Sequence, residues 1–324
     1  MPAQIEQYPF PKGLHLLKRW QAGEADAKEE MTAVFDAAIA GDFDSNYSVL
    51  TSSNRIHSTA SVHMLGLAIL FDLYGIESRA YYNLDPYRYV RTNLAVSRLL
   101  GIHKFYTTWA LYAFTCEPLG QKMMYPDRFP PGADPDAFLI NDKNWRDLKT
   151  PDFHQGIPQA IDGILEVAQE LTGAPPLLQI SAPYSLAADI YGQEPLLADV
   201  VNNPSQVNAL LDHLGDVVLG PWMDHFFQKF ADGWVELSDA SGSPFFIGPE
   251  NCINMSIRSI RHMLRDKPYA SRVFDNNFRG DIVTESEKKS RRSNRRSKEA
   301  VSNHSDRLMK LTDAKVSVNP IFMM

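Results

Sequence analysis

The chain has 324 residues, and its 44% hydrophobic content is enough to bury one large core. Its 39 acidic residues outnumber its 32 basic ones, and the net charge of −7 excludes a general nucleic-acid or membrane-surface binder, because both need clustered positive charge. Two cysteines, Cys116 and Cys252, and the lack of a signal-peptide pattern predict a cytoplasmic protein without a disulfide framework.

The first half of the chain opens with residues 1–24, which are rich in proline and aromatic side chains and predict an N-terminal arm. The remainder, 25–324, is interpreted as one domain. Asp85 and Pro86 are typical of a helix start, as the N-cap and a first-turn residue. Predicted helices lie at 27–40, 60–74 and 87–100, predicted strands at 46–51 and 103–110, and a long irregular excursion at 126–155.

The second half is more regular. Asn203 and Pro204 predict the capped start of a long helix to about 230, which Pro221 should kink. A basic run at 288–296 predicts a solvated helix face or loop, with a docking patch for an acidic partner as the alternative. The other predicted helices are 157–171, 186–201 with a break near Gly192, 249–264, and a basic helix that ends at about 312. The predicted strands are 176–181, 234–237, 272–274 and 315–318.

Helices and short apolar strands alternate without any hairpin signal, which predicts a parallel sheet with helical crossovers. No G-x-G-x-x-G follows a strand and no phosphate-binding loop motif occurs, so an open nucleotide-binding sheet is disfavoured. We therefore expect an α/β fold of the (β/α)8 TIM-barrel type. Because Met324 lies just past the last predicted strand, a barrel that is incomplete at the C-terminus is the alternative.

Several motifs occur in a fixed order: SAPYSLAA at 181–188, Asn203-Pro204, DGWVELSD at 232–239 and IGPE at 247–250. Upstream, Leu-Gly-Ile at 100–102 is followed by TCEPLG at 115–120. Over roughly 85–275, this series resembles the uroporphyrinogen decarboxylase superfamily. The resemblance implies a (β/α)8 barrel whose chemistry lies at the carboxyl ends of the strands.

The decarboxylase residues of that superfamily are not matched. Leu111, Asp189 and Ala240 stand where the family has its aspartate, tyrosine and serine, and Arg55 is the nearest cation to the missing arginine-rich loop. The chain therefore resembles the corrinoid-dependent methyltransferase branch more closely. This branch implies a methyl-corrinoid (methylcobalamin) as the cofactor, carried by a separate corrinoid protein.

Those methyltransferases hold zinc through an H-x-C pair and a later cysteine, and the zinc activates a thiol as its thiolate. Asp275 and Asn277 occupy the places of the histidine and the cysteine here. A thiol-activating zinc site is therefore doubtful, and oxygen ligands favour a harder metal or none.

Carboxylates follow two of the predicted strands. Asp239 and Asp275 are predicted to form a catalytic pair, since acids at strand ends of such a barrel serve as proton donor and acceptor, with binding of a cation as the alternative for the pair. The alternative for Asp239 is a hydrogen bond that organises the loop at 241–243. Neighbouring side chains are predicted to bind the substrate. The alternative roles for these side chains are core packing, placement at a helix end and salt bridges. The predicted substrate-binding residues are Trp109, Tyr112, Glu117, Gln179, Asp189, Asn277, Arg55 and His57.

The function expected from these residues is transfer of a methyl group between a methyl-corrinoid and a small-molecule acceptor. A carboxy-lyase acting on a small carboxylic acid is the first alternative, and a cationic pocket around Arg55 or Arg79 would favour it. A non-catalytic binding protein is the second, and an apolar mouth would favour that. Expected partners are the acceptor and the corrinoid protein, and a homodimer stays open.

Overall fold

In the computed structural model of the protein, residues 12–42, 62–82, 85–99 and 114–276 are described. The predicted strands at 46–51, 103–110 and 315–318 and the basic helix lie outside this part of the chain. Within it, the fold is a mixed α/β arrangement that is mostly helical. None of the described helices is both long enough and apolar enough to cross a membrane.

The N-terminal part is a helical layer. Residues predicted as an arm include a helix from Lys12, in which Leu16 is buried and Gly13 lies against the carbonyl of Leu99. The predicted cap at Asp85 is confirmed, because its carboxylate accepts a hydrogen bond of 3.2 Å from the backbone N–H of Arg88. The helices are α1 Lys12–Gln21, α2 Ala25–Ala40, α3 Val62–Tyr74, α4 Ser78–Tyr82 and α5 Pro86–Leu99.

A folded loop follows between 114 and 155. It contains a short antiparallel ladder of β1, Met123–Met124, with β2, Gly132–Ala133, so the expectation that no hairpin occurs was wrong. The side chain of Gln121 holds the loop, since it donates to the carbonyl of Ala137 and accepts from the N–H of Leu139. Short 3-10 turns lie at Glu117–Leu119 and Trp145–Asp147.

The regular second half begins with α6, Gly156–Thr172, which ends at Gly173 with a left-handed φ of 67°. Strand β3, Leu177–Ser181, leads into α7, Pro183–Tyr191, and then α8, Gln193–Asn202. The predicted break near Gly192 is confirmed, since its φ of 101° and ψ of 137° separate the two helices.

The long helix consists of α9, Pro204–Leu214, a π-helical turn at Gly215–Leu219, and α10, Gly220–Lys229. Pro221 has no N–H to give to the carbonyl of Val217, one helical turn earlier. The hydroxyl of Thr150 donates to that carbonyl at 2.8 Å, so the Thr150 side chain anchors the preceding loop on the helix.

The predicted side-chain cap of this helix was wrong. Asn203 makes no side-chain hydrogen bond into the first turn, and its amide instead donates to Asp199 of α8 at 2.8 Å. The carboxylate of Asp199 lies one turn before Asn203 on the preceding helix, which explains why it captures the amide.

The remaining elements complete a parallel sheet of order β3–β4–β5 within the described residues. Strand β4 is Trp234–Ser238 and β5 is Val273–Asn276, and the predicted parallel pairing with helical crossovers is confirmed. Between these strands lie α11 Pro244–Asn251, a π-helical turn Cys252–Ile257, α12 Arg258–Leu264 and a 3-10 turn Ala270–Arg272.

Substitution of Gly192 tests the close packing of α7 against the long loop, because a Cβ at this position would lie 2.7 Å from the ring of Phe138. The backbone of Gly192 also has φ and ψ angles that only glycine adopts easily. We expect Gly192→Ala to lower the free energy of unfolding by about 2 kcal/mol. Gly173→Ala is the control, with a left-handed φ but no atom within 4 Å of the added Cβ, and should cost about 1 kcal/mol. Urea unfolding of both variants measures this, and equal losses would contradict the expectation.

Candidate active site

The carboxyl ends of the strands lie side by side. Ser181 is in register with Ser238, and Ser238 with Asn276. The N–H of Ser181 donates to the hydroxyl of Thr115 at 3.0 Å, which brings the segment after 113 to the same edge of the sheet. Three of the four predicted strand ends are therefore neighbours, and the fourth, at Trp109, lies outside the described residues.

The register also decides which side chains can meet. Gln179, Glu236 and Phe274 share one face of the sheet, because paired residues of neighbouring strands point the same way. Leu237 and Asp275 share the opposite face. Gln179, which is only 2% exposed, is therefore not brought together with Asp275.

Asp239 is fully buried, and its carboxylate joins three segments. It accepts hydrogen bonds from the Ser185 hydroxyl of α7 at 2.8 Å, from the backbone N–H of Gly242 at 3.1 Å, and from the Ser256 hydroxyl. Burial raises the pKa of Asp239, while these hydrogen bonds act in the opposite direction. This geometry matches the alternative interpretation, a carboxylate that organises the loop at 241–243.

Asp275 lies close enough to Asp239 for the two charges to interact. It is partly buried, and burial, with the charge of Asp239 as a lesser cause, raises the pKa of Asp275 to about 6. Cys252 is fully buried beside both acids, and burial raises the pKa of its thiol well above the ordinary value. The predicted pair is thus together in space, with a neutral thiol next to it.

A second group of polar side chains, here called the Glu117 cluster, consists of Tyr82, Cys116, Glu117, Tyr125 and Asp189. The hydroxyl of Tyr125 donates to one oxygen of Glu117 at 3.1 Å. The other Glu117 oxygen is buried and has no hydrogen-bond partner among the described residues. Burial raises the pKa of Glu117.

Asp189 joins this cluster through Cys116, whose thiol pKa is raised first by burial and then by the charge of Asp189. Burial alone raises the pKa of Asp189 to about 7. Asp189 belongs to α7, and the next residue, Ile190, accepts a backbone hydrogen bond of 3.0 Å from Ile140 of the long loop. The cluster therefore lies between α7 and the 114–140 segment, which begins beside the end of β3.

The remaining predicted substrate-binding residues are outside the described part of the chain: Trp109, Tyr112, Asn277, Arg55 and His57. Sequence reasoning missed Tyr125 and Ser256, for which no local pattern exists, because their partners lie in other segments. It also passed over Tyr184 and Ser185, although both lie inside the SAPYSLAA motif. The buried hydroxyl of Tyr184 has no hydrogen-bond partner among the described residues.

The side chains grouped around Asp275 are poorly suited to bind zinc. The places of the histidine and the first cysteine of the family's zinc site are taken here by Asp275 and Asn277. Within the described ranges, no three histidine, cysteine, aspartate or glutamate side chains are grouped so that they could hold a metal ion. No step of the chemistry below is derived through zinc.

Comparison with known proteins gives one informative match. No family model matches the chain, and no curated protein matches its sequence. Among solved structures, the fold is similar to that of a methyltransferase from Methanosarcina mazei, with a TM-score of 0.56 and 13% sequence identity. The match covers 73% of this chain and 69% of that one. At this identity, the similarity shows a shared fold.

The raised pKa of Asp189 makes stability depend on pH. Its folded-state pKa of about 7 exceeds the ordinary value of 3.8, so the folded protein holds a proton that the unfolded chain releases. Stability contributed by this proton is present below about pH 4 and lost as the pH rises to about 7. We expect Asp189→Asn to remove this pH-dependent loss of stability, which is on the order of 2 kcal/mol.

Urea unfolding of the wild type and Asp189→Asn across this pH range measures the effect. Asp127→Asn, at an exposed position in the long loop, is the control and should leave the pH dependence of the wild type intact. A slope that is the same in Asp189→Asn and in the wild type would show that the pKa of Asp189 is not raised in the folded protein.

Proposed function

We propose that the protein is a methyltransferase with a TIM-type barrel, which moves a methyl group between a methyl-corrinoid and a small acceptor at the carboxyl ends of the strands. The closed barrel is part of this proposal. The methyl-corrinoid is treated as a substrate that a separate corrinoid protein delivers.

The observation that carries the proposal is the agreement between the motif resemblance and the fold similarity. The ordered motifs at 181–188, 232–239 and 247–250 resemble the corrinoid-dependent methyltransferase branch. The fold is similar to that of a methyltransferase from Methanosarcina mazei. Parallel strands whose carboxyl ends lie together supply the edge at which barrel enzymes of this kind carry their active residues.

The acids are assigned different roles. An acceptor that carries a proton must lose it as the methyl group arrives, and Asp275, with a pKa of about 6, is suited to receive that proton near neutral pH. Asp239 has its carboxylate oxygens engaged and acts as a positioning residue for the loop at 241–243. The substrate-binding role extends to Glu117 and Asp189 and, beyond the described residues, to Trp109, Tyr112, Asn277, Arg55 and His57. Gln179 has no part in it, because it lies on the opposite face of the sheet from Asp275.

The lyase alternative receives less support. It requires an unbalanced cationic pocket, but Arg79 lies 4.6 Å from the ring centroid of Tyr125 and lowers the pKa of Glu117 through its charge. Arg79 is therefore held beside a carboxylate. The alternative of a non-catalytic protein with an apolar mouth is disfavoured by the buried Asp239 and the partly buried Asp275, which lie near one another at the strand ends.

The assay follows loss of methylcobalamin absorbance in the presence of thiol, folate and amine acceptors. We expect turnover by the wild type and a loss of about 100-fold in Asp275→Asn, because a positioned general base contributes on that order. Asp232→Asn is the matched control, since Asp232 is exposed and precedes β4 at the opposite end of the strand. It should retain wild-type turnover.

Absence of turnover by the folded wild type with every acceptor class would overturn the proposed activity. Turnover that Asp275→Asn retains in full would leave the activity standing but remove Asp275 from the role of base. A shallower dependence of the rate on pH near 6 in Asp275→Asn would support the role independently of the size of the loss.

A further inference from the structure

Two neighbouring phenylalanines, here called the phenylalanine pair, are exposed at the start of α11. Phe245 is 71% exposed and Phe246 is 43% exposed, and their rings pack edge to face with centroids 5.1 Å apart. Among the exposed large apolar side chains of the described ranges, these are the two whose rings contact each other. Single exposed apolar residues are ordinary, whereas a contiguous exposed apolar patch is typical of a surface that binds a ligand or partner.

The topology places this pair at the same end of the sheet as the acids. Asp239 directly follows β4, in which Leu237 is in register with Asp275 of β5. The loop that begins at Asp239 is closed by the N–H of Gly242, which donates to its carboxylate at 3.1 Å, and α11 begins at Pro244. The phenylalanine pair therefore lies in the first helical turn after the strand-end loop, on the side where barrel enzymes carry out their chemistry.

The turn that carries the pair is anchored on both sides. The carbonyl of Ser243, a fully buried residue, accepts hydrogen bonds from the N–H groups of Phe246 at 3.0 Å and Ile247 at 3.2 Å. Ile247 is itself buried, and its carbonyl accepts the side-chain amide of Asn251 at 3.0 Å. Gly248, with a φ of 78°, then interrupts the helix. The rings are thus held outward before a ligand arrives, which lowers the cost of ordering them on binding.

The surface around the pair carries no charge of its own. Residues 240–249 contain no acidic, basic or histidine side chain. A nucleic acid or a strongly anionic substrate would require cations there. A methyl-corrinoid suits an uncharged apolar surface, because the rim of its macrocycle carries methyl groups and arms that end in neutral amides. Its flat body must also lie across the strand ends if its methyl group is to reach an acceptor there.

We propose that Phe245 and Phe246 contact the corrin ring of the methyl-corrinoid and hold it over the carboxyl ends of the strands. The two rings pack against the apolar rim of the macrocycle. The identity of the ligand rests on the proposed function, and the inference adds the residues that bind it. The phenylalanine pair is a binding surface and takes no part in proton transfer.

A second copy of the chain is the competing occupant of this surface. The exposed parts of the two phenylalanine rings amount to roughly 250 Å², whereas a stable dimer buries about 800 Å² on each partner. A flat ligand that meets two neighbouring rings requires no larger area. The size of the patch therefore favours the corrin ring over a second copy.

The test is equilibrium dialysis of the full chain against methylcobalamin and against cobinamide, which has the corrin ring but lacks the nucleotide arm. We expect Phe245→Ser and Phe246→Ser each to weaken binding of both ligands by about tenfold or more, because aromatic side chains dominate the energy of such contacts. Phe245→Tyr and Phe246→Tyr keep the rings and should bind within about threefold of the wild type.

The matched control is Phe129→Ser. Phe129 is 60% exposed, and its carbonyl accepts the hydroxyl of Ser78 at 3.2 Å, which places it against α4 in the N-terminal helical layer. This variant should bind both corrinoids as the wild type does. Urea unfolding verifies that each variant is folded, and sedimentation velocity reports whether any of them changes its oligomeric state.

Three results would overturn the inference: no methylcobalamin binding by the wild type at about 1 mM, full binding by folded Phe245→Ser and Phe246→Ser, or dissociation of a wild-type dimer by these substitutions with binding unchanged. The turnover assay is separate. Binding that depends on the phenylalanine pair without turnover would remove the proposed activity and keep the corrin surface. Turnover with the same KM for methylcobalamin in both serine variants would do the reverse.

Discussion

The hydrogen bonds of Asp239 are the constraint on which this end of the sheet depends. One buried carboxylate ties α7, the loop after β4 and the π-helical turn at Cys252–Ile257 to the same point. Gly242 can approach so closely only because it has no side chain, since a Cβ there would lie 2.4 Å from an Asp239 oxygen. Cys252 begins the π-helical turn that this junction holds.

Burial changes the pKa values of Asp239, Asp275 and Asp189 to different extents. Asp239 is surrounded by donors, so its hydrogen bonds oppose the rise in pKa that burial causes. At Asp275 one backbone hydrogen bond opposes burial, and at Asp189 burial acts alone, so their pKa values rise to about 6 and about 7. Acids whose pKa lies near neutrality can exchange protons with a ligand, which an acid already engaged in hydrogen bonds does not do as easily.

The regular part of the fold could be predicted because its signals are local. The apolar strands at 177–181 and 234–238 and the break at Gly192 can be read from neighbouring residues. The ladder of Met123 with Ala133 could not, since two-residue strands have no periodicity. At the site, strand-end acids were predictable by position, whereas the bonds of Ser256 and Tyr125 depend on tertiary packing that spacing does not encode.

The anchoring of the long loop has a consequence for how related chains can vary. Thr150 donates to the carbonyl of Val217, a carbonyl that Pro221 cannot pair with because it has no N–H. Any other residue at 221 would restore a helical donor that competes with the threonine hydroxyl. Positions 150 and 221 are therefore coupled across the sequence, and an exchange at one alters which substitutions the other tolerates.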